Sequence, residues 1–251
     1  MKAQIVWVVC LLVVSTHAIS QKERFYLFND VWQSVKNPTE AAYFLVIQKV
    51  TDTAFACKYY RISGSMIKTE TFTNEDCTQP GGFFAWYNEE GYADSAGFIS
   101  GKQKVGTWQH FDKGKLTNKI EYLNGRPWRT TNFIKDSIYY ADSTAEKYVR
   151  PTNFTDAQYQ GGYTRYRADL QRNLTMPERG SMLKMKGTIM VQFTVDETGK
   201  ASGYFLLKSL EWSVDEAGVF AISKANKWLP ATLNGRAITS NHQQTINFQF
   251  Q

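Results

Sequence analysis

The clearest alternation of apolar and polar positions lies near the end of the chain. From Gly187 to Val195, Ile189, Val191, Phe193 and Val195 fall on one side, and Thr188, Met190, Gln192 and Thr194 on the other. Successive side chains of a strand point to opposite faces, so this is the spacing of a half-buried strand. Asp196-Glu197-Thr198-Gly199-Lys200 reads as a turn, and a second strand follows with Gly203, Phe205 and Leu207 facing one way and Tyr204, Leu206 and Lys208 the other. The period then becomes helical. Ser213-Val214-Asp215-Glu216 has the form of a capping box, and Val214, Ala217, Ala221, Ala225 and Trp228 make one stripe. Pro230 is the expected stop. Asn234-Gly235 marks a tight turn, and Thr245 to Phe250 reads as a last strand with Ile246, Phe248 and Phe250 inward. The predicted order is strand, strand, helix, strand.

Between about Ala41 and Tyr140 the chain repeats itself loosely. Gly82-Phe83-Phe84-Ala85-Trp86-Tyr87 returns as Gly106-Thr107-Trp108-Gln109-His110-Phe111, and Phe98-Ile99-Ser100-Gly101 as Tyr122-Leu123-Asn124-Gly125, both at an offset of 24 residues. Tyr59-Tyr60-Arg61-Ile62-Ser63-Gly64 is a degenerate earlier copy, and Asn132-Phe133-Ile134-Lys135 opens a partial later one. Each unit reads as an aromatic strand, a glycine turn and a second strand. A unit of that size cannot bury its apolar face alone, so an elongated antiparallel sheet of stacked hairpins is expected. Ile19 to Lys36 fits either a short helix or a strand leading into that sheet. Asp142 to Tyr163 is polar, holds Pro151 and Gly161-Gly162, and reads as a linker.

Together, Gly187–Val195, Asp196–Lys200, Leu207-Lys208-Ser209, Val214-Asp215-Glu216-Ala217, Trp228–Arg236 and Ile246-Asn247-Phe248 resemble the C-terminal domain of TonB energy-transducer proteins. Gln160-Gly161-Gly162, the helical Tyr166–Leu174 and Met176-Pro177 look like the lead-in helix of the Bacteroidetes form, so the likeness covers about residues 153–251. Through Tyr59–Gly64 and Ala42-Tyr43-Phe44, the hairpin region resembles MORN-type repeats (membrane occupation and recognition nexus).

The TonB resemblance implies a domain that grips a short segment of an outer-membrane transporter by strand addition near its last strand. Carried over by position, that strand is Gln244, Thr245, Ile246, Asn247, Phe248, Gln249 and Phe250. Ile246, Phe248 and Phe250 would hold it to the core, while backbone groups and Asn247 or Gln249 would meet the partner. On this reading Phe248→Pro removes an edge amide and abolishes capture. A full transducer also needs an inner-membrane helix and a long Pro-rich span, whereas this chain has 6 prolines and a repeat sheet in the spacer's place. The resemblance therefore implies an envelope binding protein that engages a partner protein or peptide. An inner-membrane-anchored energy transducer and an envelope structural protein contacting peptidoglycan are the alternatives.

Composition narrows the setting. An aromatic fraction of 15% in 251 residues fits packed, β-rich structure. Lys2, the apolar run Ile5–Val14 and the small residues ending at Ala18 form a secretory signal, with cleavage expected after Ala18. That run is shorter than the roughly 20 residues a bilayer core requires. The mature chain is expected in the periplasm or envelope. Residues 165–251 hold 11 basic and 7 acidic side chains, a mild excess with no aromatic clustering, so nucleic acid is not an expected partner. Cys57 and Cys77 remain after the signal. They are either a disulfide closing a loop of about 20 residues or buried free thiols.

Chemistry is sparse. His110 and His242 stand in different predicted domains, no metal-ligand spacing includes them, and no serine elbow or phosphate-cradling glycine loop is present. The chain reads as non-catalytic, without metal, cofactor or small-molecule substrate. The expected organisation is a signal peptide (1–18), a MORN-like repeat β-sheet domain (19–141), a linker (142–162) and a TonB-like α+β C-terminal domain (163–251).

Overall fold

The computed structural model describes residues 23–132, 140–141, 148–149 and 153–250. The signal segment and the partial repeat at Phe133–Lys135 lie outside these residues.

The hairpin region forms strands β1 (Arg24–Phe28), β2 (Ser34–Val35), β3 (Tyr43–Thr51), β4 (Ala54–Arg61), β5 (Met66–Phe72), β6 (Pro80–Tyr87), β7 (Ala93–Ser100), β8 (Gln103–Asp112), β9 (Lys115–Leu123) and β10 (Arg126–Asn132). They make one ten-stranded sheet in the order β10-β9-β8-β7-β6-β5-β4-β3-β1-β2. The sequence offset carries β6 onto β8 and β7 onto β9. The ambiguity before the sheet resolves to strand, because Arg24–Phe28 finds a partner in Tyr43–Ile47.

On the face of this sheet away from the C-terminal unit, the repeated aromatics pack on one another. Trp86 stacks on Trp108 with centroids 5.4 Å apart, and Lys104 Nζ sits 4.1 Å from the Trp108 ring centre. Trp108 is fully buried because Gly97 of β7 offers its indole a flat seat; a Cβ there would run into the ring. Gly97→Ala is therefore expected to lower stability by about 1–3 kcal/mol. The readout is a lower urea midpoint at unchanged slope.

The rest of the chain adds β11 (Tyr140–Ala141), β12 (Tyr148–Val149), β13 (Phe154–Thr155), β14 (Gln158–Tyr159), α1 (Gly162–Asn173), α2 (Glu178–Met182), β15 (Lys186–Val195) and β16 (Ala201–Lys208). It ends with α3 (Trp212–Lys224), β17 (Trp228–Leu229), β18 (Ala231–Leu233), β19 (Arg236–Ile238) and β20 (Ser240–Gln249). Strands β16, β15 and β20 form a three-stranded antiparallel sheet in that order. Asn234-Gly235 makes the β18–β19 turn with φ of 51° and 77°. β13 pairs with β18 and β14 with β17, so Phe154–Tyr159, inside the stretch read as linker, is built into the C-terminal unit.

α3 departs from its predicted frame. Its N-cap is Glu211, whose carboxylate accepts from Ser213 N at 2.9 Å and Ser213 Oγ at 2.6 Å. Ser213 thus donates to the cap instead of being it. The helix closes at Ala225, whose N–H reaches the Ala221 and Ile222 carbonyls, and Trp228 lies beyond it in β17. Gly218, not Ala217, lies against the sheet, since a Cβ at 218 would collide with Ile189 Cδ1.

The three-stranded sheet is a middle layer. Ile189, Val191, Phe193 and Val195 face the helices and are buried. On the opposite face Phe205 packs onto the hairpin sheet, 5.3 Å from Phe83 and 5.8 Å from Phe111 by ring centroids. One apolar core runs from Phe44, Val46 and Tyr60 through Phe205 and Leu207 to Ile189 and Phe248.

Candidate functional site

β20 is the edge of the middle layer. It pairs with β15 from Lys186↔Gln249 to Val195↔Ser240 with no register shift, and no strand among the described residues pairs with its other side. Which backbone groups face outward follows from the ladder. Phe250 N donates to Met185 O at 3.1 Å, one step beyond the Lys186↔Gln249 pair. Hydrogen-bonded and non-bonded pairs alternate in an antiparallel ladder. Phe248, Ile246, Gln244 and His242 therefore bond inward to β15, whereas Asn241, Gln243, Thr245, Asn247 and Gln249 aim N–H and C=O at the free rim.

The strand carries none of the usual edge guards, which are charge, proline, a bulge or brevity. Its sequence, Ser240–Gln249, holds no Lys, Arg, Asp, Glu or Pro. The edges of the hairpin sheet are guarded: β2 has only 2 residues, and β10 has Arg126, Pro127, Arg129 and a register shift between Pro127 and Arg129. Residues 172–250 match the family model for the Gram-negative bacterial TonB protein C-terminal domain.

That match takes in the whole of the three-stranded sheet and leaves the hairpin sheet outside it. Among solved structures, the solution structure of the TonB C-terminal domain of Helicobacter pylori is similar at 17% identity. It covers 35% of this chain and 79% of that one, with a TM-score of 0.30. Comparison with curated proteins finds no match.

Within the TonB-like unit the predicted partner-binding residues divide by parity. Phe248 and Phe250 are buried and Ile246 is half-buried, all packed in the core; Phe250 lies against Gly180 and Val214. Thr245, Asn247 and Gln249 are exposed. Gln244 is half-buried, and its amide donates to Thr245 O at 2.7 Å. Asn247 is tied down by Thr188 Oγ1, which donates to its Oδ1 at 2.7 Å. One sequence expectation is overturned here: the Phe248 amide bonds inward, so proline at 248 would break the internal ladder and leave the rim donors in place.

The strand also starts earlier than predicted, at Ser240. Ser240-Asn241-His242-Gln243-Gln244 has no apolar alternation to announce it, and becomes strand because Val191–Val195 dictates its pairing. His242 tucks beneath Phe193 and Trp228, with ring centroids 5.7 and 5.5 Å away. Burial pulls its imidazole below the ordinary range, against the opposing charge of Asp156.

The opposite edge is occupied at its far end. Leu206 O accepts from Tyr87 Oη at 2.9 Å, Lys208 bridges to Tyr92, and Ser209 N donates to Gly91 O at 2.9 Å. Gly91 is required there: its φ is 82°, and a Cβ would strike Ser209 O. The hairpin sheet thus covers the end of β16 and leaves β20 open.

This junction holds a buried polar network absent from the sequence reading. Asp215, fully buried, accepts from Leu210 N at 2.8 Å and shares a 2.5 Å hydrogen bond with Ser209 Oγ. Ser209 Oγ in turn accepts from Met66 N at 2.7 Å, crossing to the hairpin sheet. Glu211, also fully buried, accepts from Arg179 Nε at 2.6 Å, and the same guanidinium reaches Ile62 O. Lys58 pairs with Glu216. Burial, with Glu216 and Glu211 nearby, pushes the Asp215 carboxyl up to about 8.

Cys57 is fully buried among Leu45, Ile47, Phe55 and Phe72, and its sulfur meets that of Cys77 across a Cα separation of 7.3 Å. Among the described residues no group of three or more His, Cys, Asp or Glu is placed to hold a metal ion. None of the described helices is long and apolar enough to cross a membrane.

Proposed function

We propose that this chain is an envelope binding protein that captures an extended segment of a partner protein by adding it as a fourth strand to β20. The observation that carries this reading is an unguarded rim. Ten residues in unbroken register present a row of outward donors and acceptors, whereas among the described residues the edges of the hairpin sheet are short or charged and β16 is met at its far end by that sheet. Main-chain hydrogen bonds supply affinity in this mode, and alternate side chains supply selectivity. The TonB C-terminal match supports an envelope partner, with a segment of an outer-membrane transporter as the class proposed. The hairpin sheet, similar to MORN-type arrays, is read as the support that closes β16 and buries Phe205.

The direct test is a titration of the full chain with a synthetic peptide of alternating threonine and valine, followed by amide NMR. The largest shifts are expected at Asn241, Gln243, Thr245, Asn247 and Gln249. Shifts spread over the hairpin sheet, with none along this rim, would reject the reading.

We place the mature chain in the periplasm or envelope, exported by the signal segment with cleavage after Ala18, and read Cys57–Cys77 as a disulfide suited to that oxidising compartment. Cys57→Ala with Cys77→Ala is expected to cost about 3 kcal/mol of stability. Urea unfolding of oxidised wild type against the double variant measures it; equal midpoints would show that no bond forms.

A further inference from the structure

We propose that the outer face of the helical layer, where α1 begins and α3 ends, is a docking surface for an anionic lipid bilayer. The inference does not rest on strand addition at β20. The fold brings the two helix ends together: Gln160 N, just ahead of α1, donates to Lys227 O, just past α3, at 2.7 Å. Tyr166 of α1 packs with Ala225 and Trp228 in the same place. Arg165 and Arg167 on α1 are thereby set beside Lys224 and Lys227, and all four are exposed. Among them stand two large exposed rings, Tyr163 at 71% and Phe220 at 52%. Each ring carries a cation: Arg167 Cζ lies 6.0 Å from the Tyr163 centroid, and Lys224 Nζ lies 5.2 Å from that of Phe220.

The basic excess of this half is dilute along the sequence, and burial of acids concentrates it on this face. Asp169 of α1 is buried, where Tyr159 Oη donates to it at 2.8 Å, Arg172 Nη1 at 2.9 Å and Arg165 Nε at 3.4 Å. Glu211 and Asp215 are sealed at the junction with the hairpin sheet, and Glu216 is paired with Lys58. The turn after β15 also comes near, since a Cβ on Gly199 would strike Trp228 O. Its Asp196 accepts from Thr198 N and Lys200 N at 2.9 Å each, Glu197 turns to Thr239, and Lys200 adds a cation. Among the described residues Arg167, Lys224 and Lys227 have no ion-pair partner.

The shape and chemistry of the face select its occupant. Two helices side by side make a convex surface, which suits a broad, flat target rather than a ligand held in a cleft. Lipid phosphates attract exposed Lys and Arg, and aromatic rings settle at headgroup depth. A soluble acidic chain would satisfy the cations and leave Tyr163 and Phe220 wet.

The experiment is co-sedimentation of the full chain with vesicles of phosphatidylcholine alone and of an equal mixture with phosphatidylglycerol. The mixed vesicles are expected to bind at least about tenfold more tightly. That preference should fade at ~1 M salt, where the screening length is about 3 Å. Arg167→Glu/Lys224→Glu, at exposed helix positions, should weaken binding to the mixed vesicles about tenfold. Phe220→Ser is the second variant and should weaken it several-fold without changing its salt dependence. Lys102→Glu/Arg126→Glu, on exposed turns of the hairpin sheet, should bind as wild type does. Equal binding of wild type to both vesicle types, or to neither, would overturn the proposal. So would loss of binding in the hairpin-sheet variant with none in the helix variants. Capture on dextran sulfate beads without capture by the mixed vesicles would overturn the lipid assignment.

Discussion

Thr245→Pro is expected to abolish capture of an added strand while leaving the protein folded. Thr245 lies among the residues whose N–H faces the rim, so proline there deletes a docking donor and puts its ring where the incoming backbone would lie. The β15 ladder is untouched, because its bonds come from Gln244, Ile246 and Phe248. Affinity for the threonine–valine peptide should fall at least about tenfold. The thermal midpoint should move by only a few degrees, as for a change of about 1 kcal/mol. Ile246→Pro is the contrasting variant. It removes an internal bond opposite Ile189, under the core, and should cost about 3 kcal/mol or more. Equal capture by wild type and a folded Thr245→Pro protein would exclude strand addition at this edge.

The second large effect is a loss of stability as pH rises from about 4 to about 8. Asp215 has an ordinary value of 3.8 in the unfolded chain and about 8 when folded. The folded state holds this proton more tightly, so the stabilisation is complete below the unfolded value and is lost as pH climbs through the folded one. The slope expected from this group is about 1.4 kcal/mol per pH unit at most. Burial sets the direction, and the charged groups around it do not reverse it. Tyr60 and Tyr87 are buried beside it and stay neutral, Glu211 and Glu216 add negative charge, and Lys58 and Arg179 are each held by one of those glutamates.

Asp215→Asn keeps an acceptor for Leu210 N and can donate to Ser209 Oγ, so its melting curve should flatten across this range. Asp215→Ala leaves both partners unmet in a buried site and should cost about 2–5 kcal/mol at every pH. Thermal melts between pH 5 and 8.5 separate the two. An Asp215→Asn protein that keeps the wild-type slope would assign the pH effect to another group.

The parts legible in the sequence are those where local spacing and tertiary burial agree. β15 alternates cleanly because the helices cover one face of it, and the 24-residue offset of the aromatics registers directly as β6 over β8. Asn234-Gly235 turns where its dihedral preferences allow. The parts that were hidden depend on partners far away in the chain. Ser240–Gln244 is polar throughout and becomes strand only because β15 requires it. Glu211 caps α3 although glutamate is not a favoured N-cap, since Arg179 and Ser213 hold its carboxylate there. The capping-box spacing accounts for Asp215 and Glu216 within their own helix, yet one is sealed in the core and the other reaches Lys58.

The core shared by the hairpin sheet and the TonB-like unit couples the stability of the two. Cutting the chain between them would turn Phe205, Leu207 and Phe83 out to water on newly bared faces. Such fragments would be sticky rather than modular. Heating should accordingly melt the whole chain in a single cooperative step, so that the docking rim survives for as long as the aromatic hairpins behind it do.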